Sequence, residues 1–234
     1  MTRAPGTPTQ PRSTQPRSAE PHPAGPRGRI DKRQAILDAA FAVFAREGYA
    51  QAGVDTIAAE AGVAKATVYN HFGDKETLLR QAVAGYADQA LTANLAAVER
   101  ITGGGARGAG ATRSALEAAA LHFLRCHCDE RSWALRRLLA AEVGRFPDLL
   151  DVVQVNVTDR VTQALADRLG RLTLAGRLSA TEPLLAAEQF AALLTGPMDR
   201  RARLGTRQVP DAELRSVAKA AVHTFLRAFG RQDD

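Results

Sequence analysis

Three short apolar series, separated by glycines, occupy only about forty residues near the start of this 234-residue chain. The first series predicts a helix over residues 31–46, the second runs from Val54 to Ala61, and the third runs from Val63 to Phe72. Gly48 stands where the first helix needs a left-handed C-terminal cap, and Gly62 ends the second helix. Helices this short must bury their apolar faces against one another.

The spacing of Ala58 and Gly62 predicts a tight crossing between the second and third helices. Two short helices cross at a fixed angle when the facing residue is small and the turn tolerates a positive φ. The residues expected to be buried among the three helices are Ile36, Phe41, Phe44, Ile57, Ala61, Val63 and Val68. The pattern therefore predicts a helix-turn-helix over residues 54–71, with one face of the third helix left exposed.

This exposed face begins with Ala64, Lys65, Ala66 and Thr67. Small side chains let the N-terminus of a helix enter the major groove, where lysine can contact guanine acceptors and threonine can contact a base edge or a thymine methyl. Hydrogen-bond donors suited to fixing the register on phosphates follow at Tyr69, Asn70, His71 and Lys75. We interpret these eight residues as a DNA-binding set.

The segment ILDAAFAVFAREGYAQAGVDTIAAEAGVAKATVYNHFGDKETLL resembles the DNA-binding region of the TetR family. The most diagnostic part is Gly62–Phe72, followed by Asp74-Lys75-Glu76 and Leu78-Leu79, where the family has its recognition helix and the start of a long connecting helix. The resemblance implies that Tyr69, His71 and Lys75 contact phosphates. Gly53 and Ala64 depart from the family pattern, which usually has Ser or Thr at the first position and often Ser at the second.

The net charge of +6 does not by itself support DNA binding, because of where the charge lies. Residues 1–29 carry five arginines against one acid, whereas residues 30–80 carry six basic and seven acidic side chains. Seven of the eleven prolines also lie in residues 1–29, which predicts a disordered basic arm. This arm is either a passive tail or a segment that touches DNA phosphates or a minor groove.

Low aromatic content with abundant Ala and Leu predicts an all-α chain. The resemblance implies that residues 30–73 form a DNA-binding domain and that residues 74–234 form an effector-binding and dimerisation domain. Helices are expected at about 74–100, 111–128, 131–143, 148–170, 182–204 and 210–229. Pro197 should bend the penultimate helix, either to shape a pocket wall or merely for packing. The connector around residues 103–110 satisfies G-x-G-x-x-G, but it follows a helix, not a strand, which argues against dinucleotide binding.

The second half is similar, less specifically, to the effector domains of one TetR subgroup. In the family the last two long helices form a four-helix bundle with their symmetry mates, so the resemblance implies a homodimer interface at Leu193, Leu194, Val217, Ala221 and Phe225, with Phe190 and Leu226 nearby. A ligand pocket would lie among the preceding helices. The large side chains there are His122, Phe123, Trp133, Phe146 and Phe190, each either core or ligand contact.

The sequence contains few candidate residues for catalysis or for metal binding. His122 and Cys126 share a helix face but supply only half a metal site, and Cys126 and Cys128 cannot form a disulfide with each other on one helix. We predict no cofactor, no metal and no enzymatic activity. With no signal peptide and no membrane-spanning apolar run, a cytoplasmic, nucleoid-associated protein is expected.

The leading hypothesis is therefore a ligand-responsive repressor. It would bind a palindromic, double-stranded DNA operator as a dimer and be released by a small-molecule effector. The alternative is a non-specific architectural DNA-binding protein without an effector, which would bind random DNA as tightly as its own upstream region.

Overall fold

The computed structural model of the protein describes Met1, residues 26–101 and residues 109–231. Every regular element in these residues is a helix, which confirms the all-α prediction. The helices are α1 (Pro26–Gln51), α2 (Val54–Glu60), α3 (Lys65–Phe72), α4 (Lys75–Glu99), α5 (Ala109–Cys128), α6 (Glu130–Glu142), α7 (Asp148–Val153), α8 (Arg160–Leu174), α9 (Pro183–Thr195), α10 (Met198–Ala202) and α11 (Asp211–Phe229). None of the described helices is long and apolar enough to span a membrane.

Helix α1 is longer than the predicted 31–46. It begins at Pro26, so the last residues of the predicted arm belong to the helix, and residues 2–25 of that arm lie outside the described residues. Gly48 has a φ of 74°, as its predicted cap position requires, and it separates the continuous helix from a final turn. Gly62, in the turn between α2 and α3, also has a positive φ of 66°, which glycine adopts without steric cost.

The N-termini of α2, α3 and α4 differ in how they are capped. Gly53 and Ala64 precede α2 and α3 in an extended conformation, and neither supplies a side-chain cap. Asp74 caps α4 as predicted, because its Oδ1 accepts a 2.7 Å hydrogen bond from the backbone N–H of Thr77. This bond also lowers the pKa of Asp74.

The apolar side chains form two buried clusters. The first contains the predicted core residues Ile36, Phe41, Phe44, Ile57 and Val68, while Ala61 and Val63 are only partly buried against it. Leu138, Leu139 and Phe146, from α6 and the segment after it, belong to this first cluster as well. The second cluster unites α5, α8, α9 and α11, with α5 packed against α11 and α8 against α9.

Two expectations for the second half need correction. The predicted helix 182–204 is broken, not bent: α9 ends at Thr195, and Pro197 is the N-cap of the separate helix α10, because proline has no N–H to continue the hydrogen-bond pattern of α9. The predicted helix 148–170 instead reaches Leu174 and contains a π-helical turn, Gln154–Asp159, between α7 and α8. Turns of this kind are frequent at functional sites.

Candidate nucleic-acid interface and cavity

The N-terminal residues of α3 form an open surface. Ala64, Lys65 and Ala66 are exposed and Thr67 is half-buried. Val68 and Phe72 point the other way, into the first apolar cluster. The predicted base-facing residues therefore share one accessible helix end, and their small size leaves the α3 backbone open to a close approach.

Lys65, however, already has a partner on the protein. Its Nζ lies 2.9 Å from Oδ2 of Asp55 at the start of α2, and this hydrogen bond raises the pKa of the lysine. Both side chains are at least half exposed, and exposed ion pairs of this kind contribute little to stability. Lys65 can therefore leave Asp55 at small cost.

The four predicted phosphate-contacting side chains differ in solvent exposure. Tyr69 and Asn70 are exposed, whereas His71 and Lys75 are half-buried. The Nζ of Lys75 lies 4.7 Å from the centre of the Tyr49 ring and donates a 3.3 Å hydrogen bond to the carbonyl oxygen of Ala50. Lys75 thus links the start of α4 to the end of α1, and these contacts position its ammonium group.

A cavity of about 370 Å³ lies between α4, α5, α6, the π-helical turn, α8 and α9. Most of its wall is apolar, with Ala87 and Ala90 on one side and Val161 and Leu165 on another. Its size is within the range of small-molecule sites, about 300–1,000 Å³. The remaining lining residues are Tyr86, Ala93, Asn94, Phe123, Cys126, His127, Asp129, Ser132, Leu135, Arg136, Val153, Val157, Thr158, Thr162, Phe190, Ala191, Leu194 and Thr195.

Only two of the five predicted pocket residues, Phe123 and Phe190, line this cavity. Trp133 is buried beside it, with its ring 5.8 Å from that of His127. Phe146 instead packs edge-on against Tyr49, at 4.8 Å, in the first apolar cluster. His122 is half-buried on α5 and is not among the residues that line the cavity.

Sequence reasoning also missed the polar side chains of the cavity. The hydroxyl of Tyr86 lies 2.6 Å from Oγ of Ser132, which donates to the carbonyl oxygen of Cys126. Asn94 Oδ1 is buried without a hydrogen-bond partner among the described residues. Tyr86 and Asn94 lie eight residues apart on α4, with Ala90 midway between them, so both lie on one face of an alanine-rich helix. These two polar residues on one face were the feature of the sequence that could have indicated the site.

The predicted dimer residues are mostly inside the protomer. Leu194, Val217, Ala221 and Phe225 are buried in the second cluster, and only Leu193 is partly exposed. The Phe225 ring lies 5.0 Å from that of Phe190, also buried, while Leu226 is half-buried. The apolar stripes of α9 and α11 therefore face the chain's own helices, because α5 and α8 pack onto them.

The cysteine and histidine cluster has no metal-binding geometry. The Sγ of Cys126 lies 3.4 Å from Nε2 of His122, but no group of three potential metal-binding side chains occurs in residues 26–101 and 109–231. Burial raises the pKa of Cys126 and raises that of Cys128 to about 11, so both thiols stay protonated near neutral pH.

Helix α6 belongs to both halves of the molecule. Ser132, Leu135 and Arg136 line the cavity, while Leu138 and Leu139, farther along, are part of the first apolar cluster. At the end of α6, Glu142 Oε1 accepts a 2.9 Å hydrogen bond from the backbone N–H of Tyr49.

Ion pairs join the same two halves. Arg80 of α4 pairs with Asp148 of α7 at 2.8 Å, and Arg131 of α6 pairs with Asp38 of α1 at 3.0 Å. All four side chains are substantially exposed, so these pairs contribute little to stability. The packing of α6 therefore links the cavity to the core of the DNA-binding half, as does α4, whose Leu78 and Leu79 belong to the first cluster and whose Ala87 and Ala90 line the cavity.

Comparison with known proteins agrees with this arrangement. Residues 36–82 match the family model "Bacterial regulatory proteins, tetR family", and residues 114–231 match "AefR-like transcriptional repressor, C-terminal domain". None of the curated proteins matches the chain.

Several solved structures are similar over most of their length. A putative TetR-family regulator from Mesorhizobium loti is 30% identical, with a TM-score of 0.77, over 87% of this chain and 98% of that one. A structure described as "Flavonoid-responsive Regulator FrrA" is 26% identical, with a TM-score of 0.62, over 86% and 98%. A regulator from Agrobacterium tumefaciens, at 23% identity and a TM-score of 0.68 over 86% and 95%, shares the fold. The chain belongs to the TetR family of DNA-binding transcriptional regulators.

Proposed function

We propose that the protein is a ligand-responsive repressor that binds a palindromic operator as a homodimer and is released by a small-molecule effector. The observation that carries this proposal is the double role of α6, which forms one wall of the cavity and part of the core beneath the helix-turn-helix. A ligand that favours one position of α6 must also favour one position of the DNA-binding helices, because packed cores do not deform freely.

The DNA-binding part of the proposal rests on α3. Ala64, Lys65, Ala66 and Thr67 read base edges, while Tyr69, Asn70, His71 and Lys75 contact phosphates. Two copies of α3 in a dimer enter successive major grooves, so the operator is an inverted repeat. The protein then acts in the cytoplasm, at the nucleoid, where the operator lies.

We propose a dimer surface other than the one that the sequence suggested. Leu184 and Leu185 are exposed on α9, and α11 exposes the small residues Ser216, Ala220 and Thr224 at intervals of four. Small residues let two helices approach closely, and exposed leucines supply the apolar area that a stable interface buries. We assign the dimer contact to these outer faces of α9 and α11.

Footprinting of the DNA upstream of the gene, followed by titration of the protected sequence, tests operator binding. We expect Tyr69→Phe to weaken operator binding about 5- to 100-fold, because each protomer loses one phosphate hydrogen bond. Lys75→Ala should weaken binding and reduce the slope of log affinity against log salt by about 1 per protomer.

Arg113→Ala, at an exposed position of α5 outside both α3 and the assigned dimer faces, is the matched control and should leave affinity unchanged. Circular dichroism checks that each variant is folded, since loss of the Lys75 contact with Tyr49 costs about 0.5–1 kcal/mol of stability. Equal affinity for the protected site and for random DNA would instead favour the architectural alternative.

Asp55→Asn is expected to increase operator affinity about 3- to 10-fold at fixed salt. The substitution releases Lys65 from its ion pair and removes a negative charge close to the DNA phosphates in both protomers. Fluorescence anisotropy with a labelled operator measures the change. Weaker binding by Asp55→Asn would show that Asp55 instead holds Lys65 in its DNA-binding position.

A small-molecule effector is supported by the cavity and by one relative. The cavity is mostly apolar with a few polar groups, the composition typical of ligand sites. The relative described as a flavonoid-responsive regulator shares 26% of its sequence with this chain.

A further inference from the structure

Among the described residues that line the cavity, Arg136 is the one lysine or arginine, and no carboxylate is in direct contact with it. Its Nη2 donates a 2.5 Å hydrogen bond to the carbonyl oxygen of His127, and its guanidinium lies 3.8 Å from the centre of the Trp133 ring. Nε is buried and has no hydrogen-bond partner among the described residues. Arg136 also forms no ion pair with a carboxylate in that part of the chain.

The acidic side chains nearest to Arg136 do not change this picture. Asp129 also lines the cavity, but it is exposed to solvent, and its Oδ1 accepts a hydrogen bond from the backbone N–H of Ser132. Asp199 acts on Arg136 only from beyond ion-pair distance. The loss of solvation on burial outweighs the attraction of these two carboxylates and lowers the pKa of Arg136. The charged guanidinium is therefore poorly solvated in the protein.

His127 also lines the cavity and is in contact with Arg136. Its Nδ1 lies 3.3 Å from Nη1 of Arg136, and a guanidinium can only donate, so Nδ1 accepts and Nε2 carries the hydrogen. That Nε2 is buried without a partner among the described residues. Burial, followed by the charge of Arg136, lowers the pKa of His127 to about 4, so the ring is neutral near pH 7.

We propose that the effector is an amphipathic anion whose carboxylate is bound by Arg136, while its apolar body fills the cavity beside Ala90, Val161 and Leu165. The proposal deepens the function proposed above and rests on it. A carboxylate supplies the counter-charge that the Arg136 guanidinium lacks, and a charge-assisted bond in a partly buried site is stronger than a neutral one. The lining residues of α4 and α8 include no charged side chain.

Isothermal titration of the full-length protein with 2-naphthoate and 2-naphthamide tests this inference. The two probes share one apolar body and differ in charge. The wild type should bind the carboxylate about tenfold or more tightly than the amide, because a hydrogen bond to a charged group adds about one order of magnitude in affinity. Arg136→Gln should bind the two probes equally, and Arg136→Lys should retain part of the preference.

Arg137→Gln is the matched control, because Arg137 is the exposed neighbour on α6 and lies outside the cavity lining. Thermal unfolding followed by circular dichroism shows whether each variant is folded. Equal affinity of the wild type for both probes, binding of neither probe, or an unchanged preference in Arg136→Gln would each overturn the inference.

The proposed repressor function and the proposed ligand class are tested by separate measurements. A mobility-shift assay of the unliganded protein on its upstream DNA tests the repressor function without any probe. Loss of that binding would contradict the repressor while leaving the ratio of naphthoate to naphthamide affinity to decide the ligand class. A naphthoate that binds tightly through Arg136 but does not release the operator would support the inference and contradict effector-induced release.

Discussion

Replacing Ala66 with glutamate is expected to lower operator affinity by about 100-fold or more while leaving the fold intact. Ala66 is exposed at the N-terminal end of α3, among the residues that we place against base edges. A carboxylate there lacks space in the groove and is repelled by the phosphates in both half-sites, and like-charge contacts cost several kcal/mol. Fluorescence anisotropy with a labelled operator measures the loss.

The control for Ala66→Glu is Ala96→Glu, an identical change of charge at an exposed position near the far end of α4. This variant should bind the operator as the wild type does, apart from a small long-range effect that salt screens. If Ala66→Glu kept near-normal affinity, α3 would not be the element that enters the major groove, and the assignment of its eight residues would be wrong.

Phe225→Ala is expected to lower the free energy of unfolding by about 3–5 kcal/mol. Phe225 is fully buried and packs edge-on against Phe190, so truncation leaves a void in the second apolar cluster. If Phe225 lay in the dimer interface, as the sequence suggested, truncation would mainly weaken association. Urea unfolding at several protein concentrations separates these two effects, since only dissociation depends strongly on concentration.

Leu184→Ala provides the comparison, because Leu184 is 47% exposed on α9. In the protomer this change should cost about 0.5 kcal/mol or less, as for other surface substitutions. In a dimer built on the outer face of α9 it should raise the dissociation constant, which analytical ultracentrifugation measures. A Phe225→Ala protein of normal stability that dissociates readily would restore the original interface assignment.

The helix-turn-helix was predictable because its determinants are local. Apolar spacing sets which face each short helix buries, and Gly48 and Gly62 both have the positive φ that their positions in the sequence suggested. The cap of α4 at Asp74 follows from the same short-range chemistry. Even here, the ion pair between Lys65 and Asp55 was not apparent, because it depends on the angle between α2 and α3.

The cavity was predicted less well because its wall comes from helices far apart in the chain. Aromatic residues drew attention as pocket candidates, yet Phe146 packs against Tyr49, almost a hundred residues earlier, in the core of the DNA-binding half. The wall is built mainly from small residues and from a π-helical turn that has no clear sequence signature. Arg136 resembled any other arginine on an amphipathic helix until its burial was known.

Local sequence was enough to predict that the chain is helical, where its helix-turn-helix lies and which face of α3 stays exposed, since backbone propensity and apolar periodicity act over a few residues. Tertiary structure alone decided what each apolar stripe packs against. A stripe on α9 or α11 shows that a helix buries one face, but it is equally compatible with a partner subunit and with the chain's own α5 and α8. The free energy of burial does not depend on which neighbour removes the water.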